Sequence, residues 1–216
     1  MRSFLSVTLL ILTSAALTQT VKQSDLQRQH SVWEPPEWNF PRELKATVPK
    51  EMFSTFILSG VSITFEETSI ESVRERLGGK GGQRGDAGDA LKWLCFHSRD
   101  PADRWVLWLE SGEIDGGSVG SFQWQRLSND DVVDSRCQAL GGGSVTLPLS
   151  FRLGAKKAEV LKSLGGPTST ESHRLIYLHE HEGKIKGQPF AVSNIIVVHI
   201  RDGLVWAIQA SKTSSS

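Results

Sequence analysis

The sequence has no excess of charge, few cysteines and no apolar run long enough to span a membrane. Of its 216 residues, 24 are Lys or Arg and 24 are Asp or Glu, so the formal net charge is zero. A chain without a field of one sign does not gather nucleic acid or anionic lipid. We therefore expect no nucleic-acid partner.

The apolar run near the N-terminus, residues 4–12, is shorter than the roughly 20 residues that a membrane-spanning helix needs. Arg2 precedes this run and small residues at 14–16 follow it, which is the order of a secretory signal peptide. We predict that residues 1–18 are a signal peptide and that the protein is extracytoplasmic, either periplasmic or secreted. No cysteine follows the small residues, so we expect no lipid attachment and no stable membrane anchor.

The only two cysteines, Cys95 and Cys137, form an even pair, and in an exported protein such a pair favours a disulfide. The chain-entropy model gives a crosslink of this loop length roughly 4 kcal/mol of stabilisation. Two buried free thiols are the alternative.

Residues 19–51 form a segment rich in proline and tryptophan, with Trp33 and Trp38 among Pro35, Pro36 and Pro41. Proline disfavours a helix interior and favours extended polyproline geometry. We predict a strap that lies on the folded body of the protein, because a solvated tail has little use for two tryptophans. A partner-binding peptide is the alternative interpretation.

The chain from residue 52 onwards contains two stretches with the same order of patterns. Residues 69–79 and 156–166 each place Val four residues before Leu and end in Gly-Gly, which predicts a short amphipathic helix with a glycine stop. Three apolar segments that are typical of strands follow each helix. Asp202-Gly203, between the last two segments, is a strong hairpin signal.

These patterns predict an α+β fold of two similar halves, each a short helix packed on an antiparallel β-sheet. The predicted units are a first repeat at 52–127, a linker at 128–145, a second repeat at 146–212 and a disordered tail at 213–216.

Residues 151–180 resemble the repeat shared by the β-lactamase inhibitor protein and the small lipoprotein of the outer-membrane barrel-assembly machinery. The matching residues are Gly154, Glu159, Val160, Leu164, Gly165 and Pro167. The first half matches only through Val73, Leu77 and Gly78. The resemblance implies a tandem α+β repeat in a bacterial envelope or secreted protein that binds other proteins and has no active site.

Three motifs could carry chemistry, and each also has a structural interpretation. Ser118 lies in a G-x-S-x-G sequence, but a nucleophile elbow needs a helix after the serine, and a strand pattern follows here. His179 and His181 could share one face of a strand, although zinc would need a third ligand such as His173. The glycine-rich residues 78–89 match no phosphate-binding motif and are interpreted as a flexible connection.

The aromatic residues Trp108, Phe122 and Trp124 are the candidate protein-binding residues. If the sheet face away from the helices carries them, it is a candidate contact surface, because aromatic anchors dominate interface energetics. The alternative is that these rings pack under the proline-rich strap or between the two halves.

We therefore expect an exported, non-catalytic protein that binds another protein, without a cofactor, a metal site or catalytic residues. A small envelope hydrolase, using Ser118 or a metal site at His179 and His181, is the alternative. A purely structural envelope component, with every aromatic residue buried, is the third possibility.

Overall fold

The computed structural model describes residues 31–37, 52–86, 88–141, 145–185 and 188–215. The predicted signal peptide at 1–18 and the tryptophan at position 38 lie outside these residues. Strands take up 51% and helices 12% of the described chain.

The described residues contain two α-helices, α1 (Ile70–Leu77) and α2 (Lys157–Leu164), and a short 3-10 helix (Glu113–Asp115). The strands, in chain order, are β1 (Ser31–Val32), β2 (Thr55–Leu58), β3 (Val61–Thr64), β4 (Gly81–Arg84), β5 (Leu91–Ser98), β6 (Trp105–Gly112), β7 (Ser121–Arg126), β8 (Val132–Val133), β9 (Gln138–Leu140), β10 (Val145–Thr146), β11 (Ser169–Glu171), β12 (Arg174–Ile185), β13 (Gln188–Arg201) and β14 (Leu204–Ser215).

The two predicted helices and the six strands that follow them are confirmed, although β12, β13 and β14 extend five or six residues beyond the predicted segments. Ser69 caps α1, since its Oγ accepts a hydrogen bond from Ser72 N at 3.1 Å. Gly78 ends this helix in a backbone conformation with φ of +78°. The hairpin at Asp202-Gly203 is also confirmed, and both residues have positive φ, as a type I′ turn requires.

The predicted fold class, α+β with a separate sheet in each half, is wrong. The protein is mostly β, and β7 pairs with β14 in antiparallel register, with Gln123 opposite Gln209. One sheet of nine strands therefore runs through the molecule, in the order β11-β12-β13-β14-β7-β6-β5-β4, with β9 parallel to β5. In two separate sheets, β7 and β14 would be edges with unpaired backbone groups, and their pairing removes both edges.

The two faces of the large sheet are covered differently. One face packs against both helices and the small sheet β10-β2-β3, with Val73 of α1 and Val160 of α2 in the same core. We call this the helix face. The opposite face, which we call the open face, carries a second apolar cluster. Its buried members are Trp33, Trp93, Cys95, Val106, Trp108, Leu127 and Cys137.

Two further interpretations of the sequence differ from the structure. The glycine-rich residues interpreted as a flexible connection contain the strand β4, which pairs with β5. The predicted disordered tail is wrong for residues 213–215, because β14 continues to Ser215. Glu66 holds this end of the strand by accepting hydrogen bonds from Ser214 N and Ser214 Oγ at 2.6 and 2.8 Å.

Candidate functional site: the strap groove

Residues 31–37, which we call the strap, lie against the open face of the sheet. Trp33 and Pro35 are buried, while Glu34 and Glu37 are exposed. Pro35 and Pro36 keep this stretch extended, because proline restricts φ and lacks a backbone donor. The strap thus presents two apolar groups to the protein and two carboxylates to solvent.

The indole of Trp33 fills a slot between an aromatic ring and a guanidinium group. Its ring centroid is 5.8 Å from that of Trp93, with the planes at 60°. On the outside, the guanidinium carbon of Arg136 lies 4.4 Å from the Trp33 ring centroid, within the range of a cation–π contact. The disulfide partners Cys95 and Cys137 belong to the same buried cluster.

Three side chains donate hydrogen bonds to backbone carbonyls of the strap. Trp108 Nε1 donates to the carbonyl of Trp33 at 2.9 Å. Arg84 Nη1 donates to the carbonyl of Pro35 at 2.9 Å, and Gln123 Nε2 donates to the carbonyl of Pro36 at 3.0 Å. Trp93, Trp108, Arg84, Gln123 and Arg136 together form what we call the strap groove. These contacts recognise the backbone of an extended chain.

A buried carboxyl group lies beneath the strap. Glu110 is 4% exposed, and its two oxygens accept hydrogen bonds from Ser121 Oγ and Gln123 Nε2, each at 2.6 Å. Burial raises the pKa of Glu110, although these two hydrogen bonds and the charge of Arg84 act in the opposite direction. Since the Gln123 amide also binds Pro36, it connects the strap directly to this carboxyl group.

Glycine in β4 allows the aromatic part of the groove to form. A Cβ atom on Gly82 would lie 2.1 Å from Cε2 of Trp93, so the indole of Trp93 occupies the space of the missing side chain. Gly82 therefore serves packing, which the glycine-rich pattern alone did not indicate.

Residues 134–137, which we call the wall of the Trp33 slot, are held in place by the disulfide. Cys95 and Cys137 are bonded, as predicted, with their Cα atoms 4.6 Å apart. Asp134, three residues before Cys137, donates through its backbone N to the carbonyl of Val32 at 3.2 Å. Its carboxylate holds Arg136 over Trp33 through two hydrogen bonds at 2.9 Å, and Arg136 keeps the pKa of Asp134 well below its usual range.

The three predicted protein-binding residues do not form an exposed surface. Trp108 is 1% exposed, Phe122 0% and Trp124 5%. The antiparallel register places Trp108 opposite Gln123, so Trp108 faces the strap while Phe122 and Trp124 point into the helix-face core. Trp108 therefore lies under the strap, as the alternative interpretation of the sequence expected, and the other two rings lie on the other side of the sheet.

The residues named for the hydrolase alternative lie next to or within strands. A strand, β7, follows Ser118 where a nucleophile elbow needs a helix. The rings of His179 and His181 are 5.1 Å apart on one face of β12. No group of three or more His, Cys, Asp or Glu side chains within the described ranges could hold a metal ion.

Sequence reasoning missed Trp93, Arg84 and Arg136 as members of the groove. The alternation of side chains along β7 could have indicated Gln123, since it puts this residue on the face opposite Phe122 and Trp124. The predicted disulfide brings β5 close to the segment before Cys137. No local pattern indicates that β4 and the strap join them.

None of the helices in the described part of the chain is both long and apolar enough to cross a membrane. The chain matches no protein family model, no curated protein and no solved structure. The resemblance of residues 151–180 to the inhibitor and lipoprotein repeat therefore stays a prediction.

Proposed function

We propose that this chain is an exported, non-catalytic protein that acts by binding another protein, and that the strap groove is its contact surface. The observation that carries this proposal is the set of three side-chain donors directed at backbone carbonyls of an extended proline-containing segment. Every peptide has such carbonyls, so this arrangement suits the recognition of a chain.

The disulfide supports the proposed location. Cys95 and Cys137 are both buried and bonded, which is compatible with an oxidising compartment outside the cytoplasm. Removal of a signal peptide at residues 1–18 would leave the strap close to the new N-terminus.

A structural envelope component is the second candidate, and the burial of Trp33 favours it. In that case the strap seals the open face permanently, and the groove has no other ligand. The two candidates differ in whether a second protein reaches the groove.

Site-specific photo-crosslinking in the native cells distinguishes them. A photoreactive amino acid replaces Ser135, which is exposed next to Arg136 of the groove, in the full-length chain. The matched control carries the same group at Leu161, which is 37% exposed on α2. We expect a defined adduct with a second protein at position 135 that is missing at position 161. If neither position gives an adduct, the binding proposal is wrong.

A further inference from the structure

We infer that the strap is a displaceable, built-in occupant of its groove, and that the external ligand is an extended segment of a partner protein. That segment carries an aromatic residue followed, two and three positions later, by proline. This inference rests on the proposed function and specifies the partner for the same surface.

The contacts of the strap define the class of ligand. The slot between Trp93 and Arg136 takes a flat aromatic side chain, because one side offers a ring and the other a guanidinium group. Position 35 takes a small apolar group, since Pro35 is buried. The groove donates to the carbonyls at 35 and 36, where proline has no N–H of its own. A preformed polyproline-type segment satisfies these conditions with little loss of conformational entropy.

The way in which the strap is attached makes it exchangeable. Of residues 31–37, only Ser31 and Val32 belong to a strand pair, a short parallel one with β8. From Trp33 to Pro36 the strap is held by side chains of the groove, whereas neighbouring strands of the large sheet share long backbone ladders. The solvent-facing side of the strap is also polar. Glu37 is largely exposed, and its Oε1 lies 4.0 Å from Nη1 of Arg84. An external segment with the same carbonyls and an aromatic anchor can replace these contacts one for one.

Competition by the strap has a measurable consequence. The apparent affinity for an external segment falls in proportion to the fraction of molecules in which the groove is open. Weakening the strap without altering the groove must therefore strengthen the binding of an external peptide.

The test uses the full exported chain and a fluorescent peptide with the sequence of residues 31–37. Trp33→Ala removes the anchor of the strap and leaves the five groove residues unchanged. We expect the peptide to bind this variant at least about tenfold more tightly than the wild type. In the Trp33→Ala background, Arg84→Ala should weaken binding by roughly tenfold, because it removes a charged donor. A peptide in which alanine replaces the tryptophan should not bind.

A second variant covers the case in which Trp33→Ala fails to fold. A specific protease site is inserted between residues 37 and 38, the chain is folded intact, and the strap is then released by cleavage. We expect the cleaved N-terminal piece to dissociate and the labelled peptide to take its place. Equal, weak binding to the intact wild type and to a folded strap-weakened protein would overturn the inference.

The outcomes also separate this inference from the proposed function. An adduct at position 135 together with no peptide binding leaves a protein-binding role in place and contradicts the ligand class. Peptide binding without any adduct contradicts both the proposed function and the external partner, and leaves the strap as the permanent occupant of the groove.

Discussion

Gln123 is the residue that joins the strap to the interior of the sheet. Its Nε2 donates to Pro36 on one side and to Glu110 on the other, and its buried Oε1 accepts no hydrogen bond from the described residues. Glu110 is in turn fully surrounded by protein, and its ionisation must be accommodated by two donors and by Arg84. We therefore expect a change in the charge of Glu110 to alter the hydrogen bond between Gln123 and the strap.

The raised pKa of Glu110 predicts a specific dependence of stability on pH. Above pH 4.5, the ordinary value for glutamate, the unfolded chain releases this proton while the native state resists release. Above this pH the native state therefore binds more protons than the unfolded chain. As a result, the contribution of Glu110 to the free energy of unfolding falls as the pH rises. We expect Glu110→Gln to become progressively more stable than the wild type between pH 4.5 and neutrality, as measured by urea unfolding.

A comparison of variants isolates this effect. His199, whose pKa burial lowers to about 4, titrates in both proteins and cancels from the difference. Glu67→Gln, at an exposed position, controls for the loss of one negative charge. A difference between Glu110→Gln and wild type that does not vary with pH would contradict a raised pKa.

At the level of elements, the disulfide positions residues 134–137, the wall of the Trp33 slot, beside the strap. The crosslink holds this segment against β5, where Asp134 binds the strap backbone and positions Arg136 over Trp33. The sequence indicated the crosslink between Cys95 and Cys137. It did not indicate that the wall faces the strap, because that depends on which face of β5 Cys95 occupies.

Removal of the disulfide should loosen the strap before it unfolds the sheet. For the double variant Cys95→Ala/Cys137→Ala we expect a loss of about 2–5 kcal/mol in the free energy of unfolding. We also expect faster amide hydrogen exchange in residues 31–37 than in β12, measured by mass spectrometry. The wild type under reducing conditions is the control, and unchanged protection of the strap in both would argue against the wall.

At the level of the whole molecule, the pairing of β7 with β14 makes one structural unit from strands far apart in the sequence. Phe122 of β7 packs against the rings of Phe56 and Phe65, whose centroids lie 4.7 and 6.0 Å away. The same core reaches Tyr177 of β12 and Val198 of β13. The stability of one end of the sheet is therefore coupled to the other.

This continuity predicts a single cooperative transition. Phe122→Ala should lower the free energy of unfolding by about 3–5 kcal/mol through loss of a fully buried ring. Hydrogen exchange at increasing urea should give β5 and β12 the same unfolding midpoint, in the wild type and in the variant. Ile57→Ala, at a site that is 42% exposed, serves as the control and should have a small effect. Separate midpoints for β5 and β12 would show that the sheet is not one unit.

The amino-acid sequence determined the local features of this protein: two short helices with glycine stops, six long strands, the hairpin at Asp202-Gly203 and the cysteine pair. Each depends on residues that are close together in the chain or, for the cysteines, on there being only one possible pair. Tertiary structure alone decided that β7 joins β14, that Trp108 lies under the strap and that Gln123 reaches Pro36. These depend on strand register and on which sheet edges meet, and periodicity within a segment contains no information about its distant neighbours.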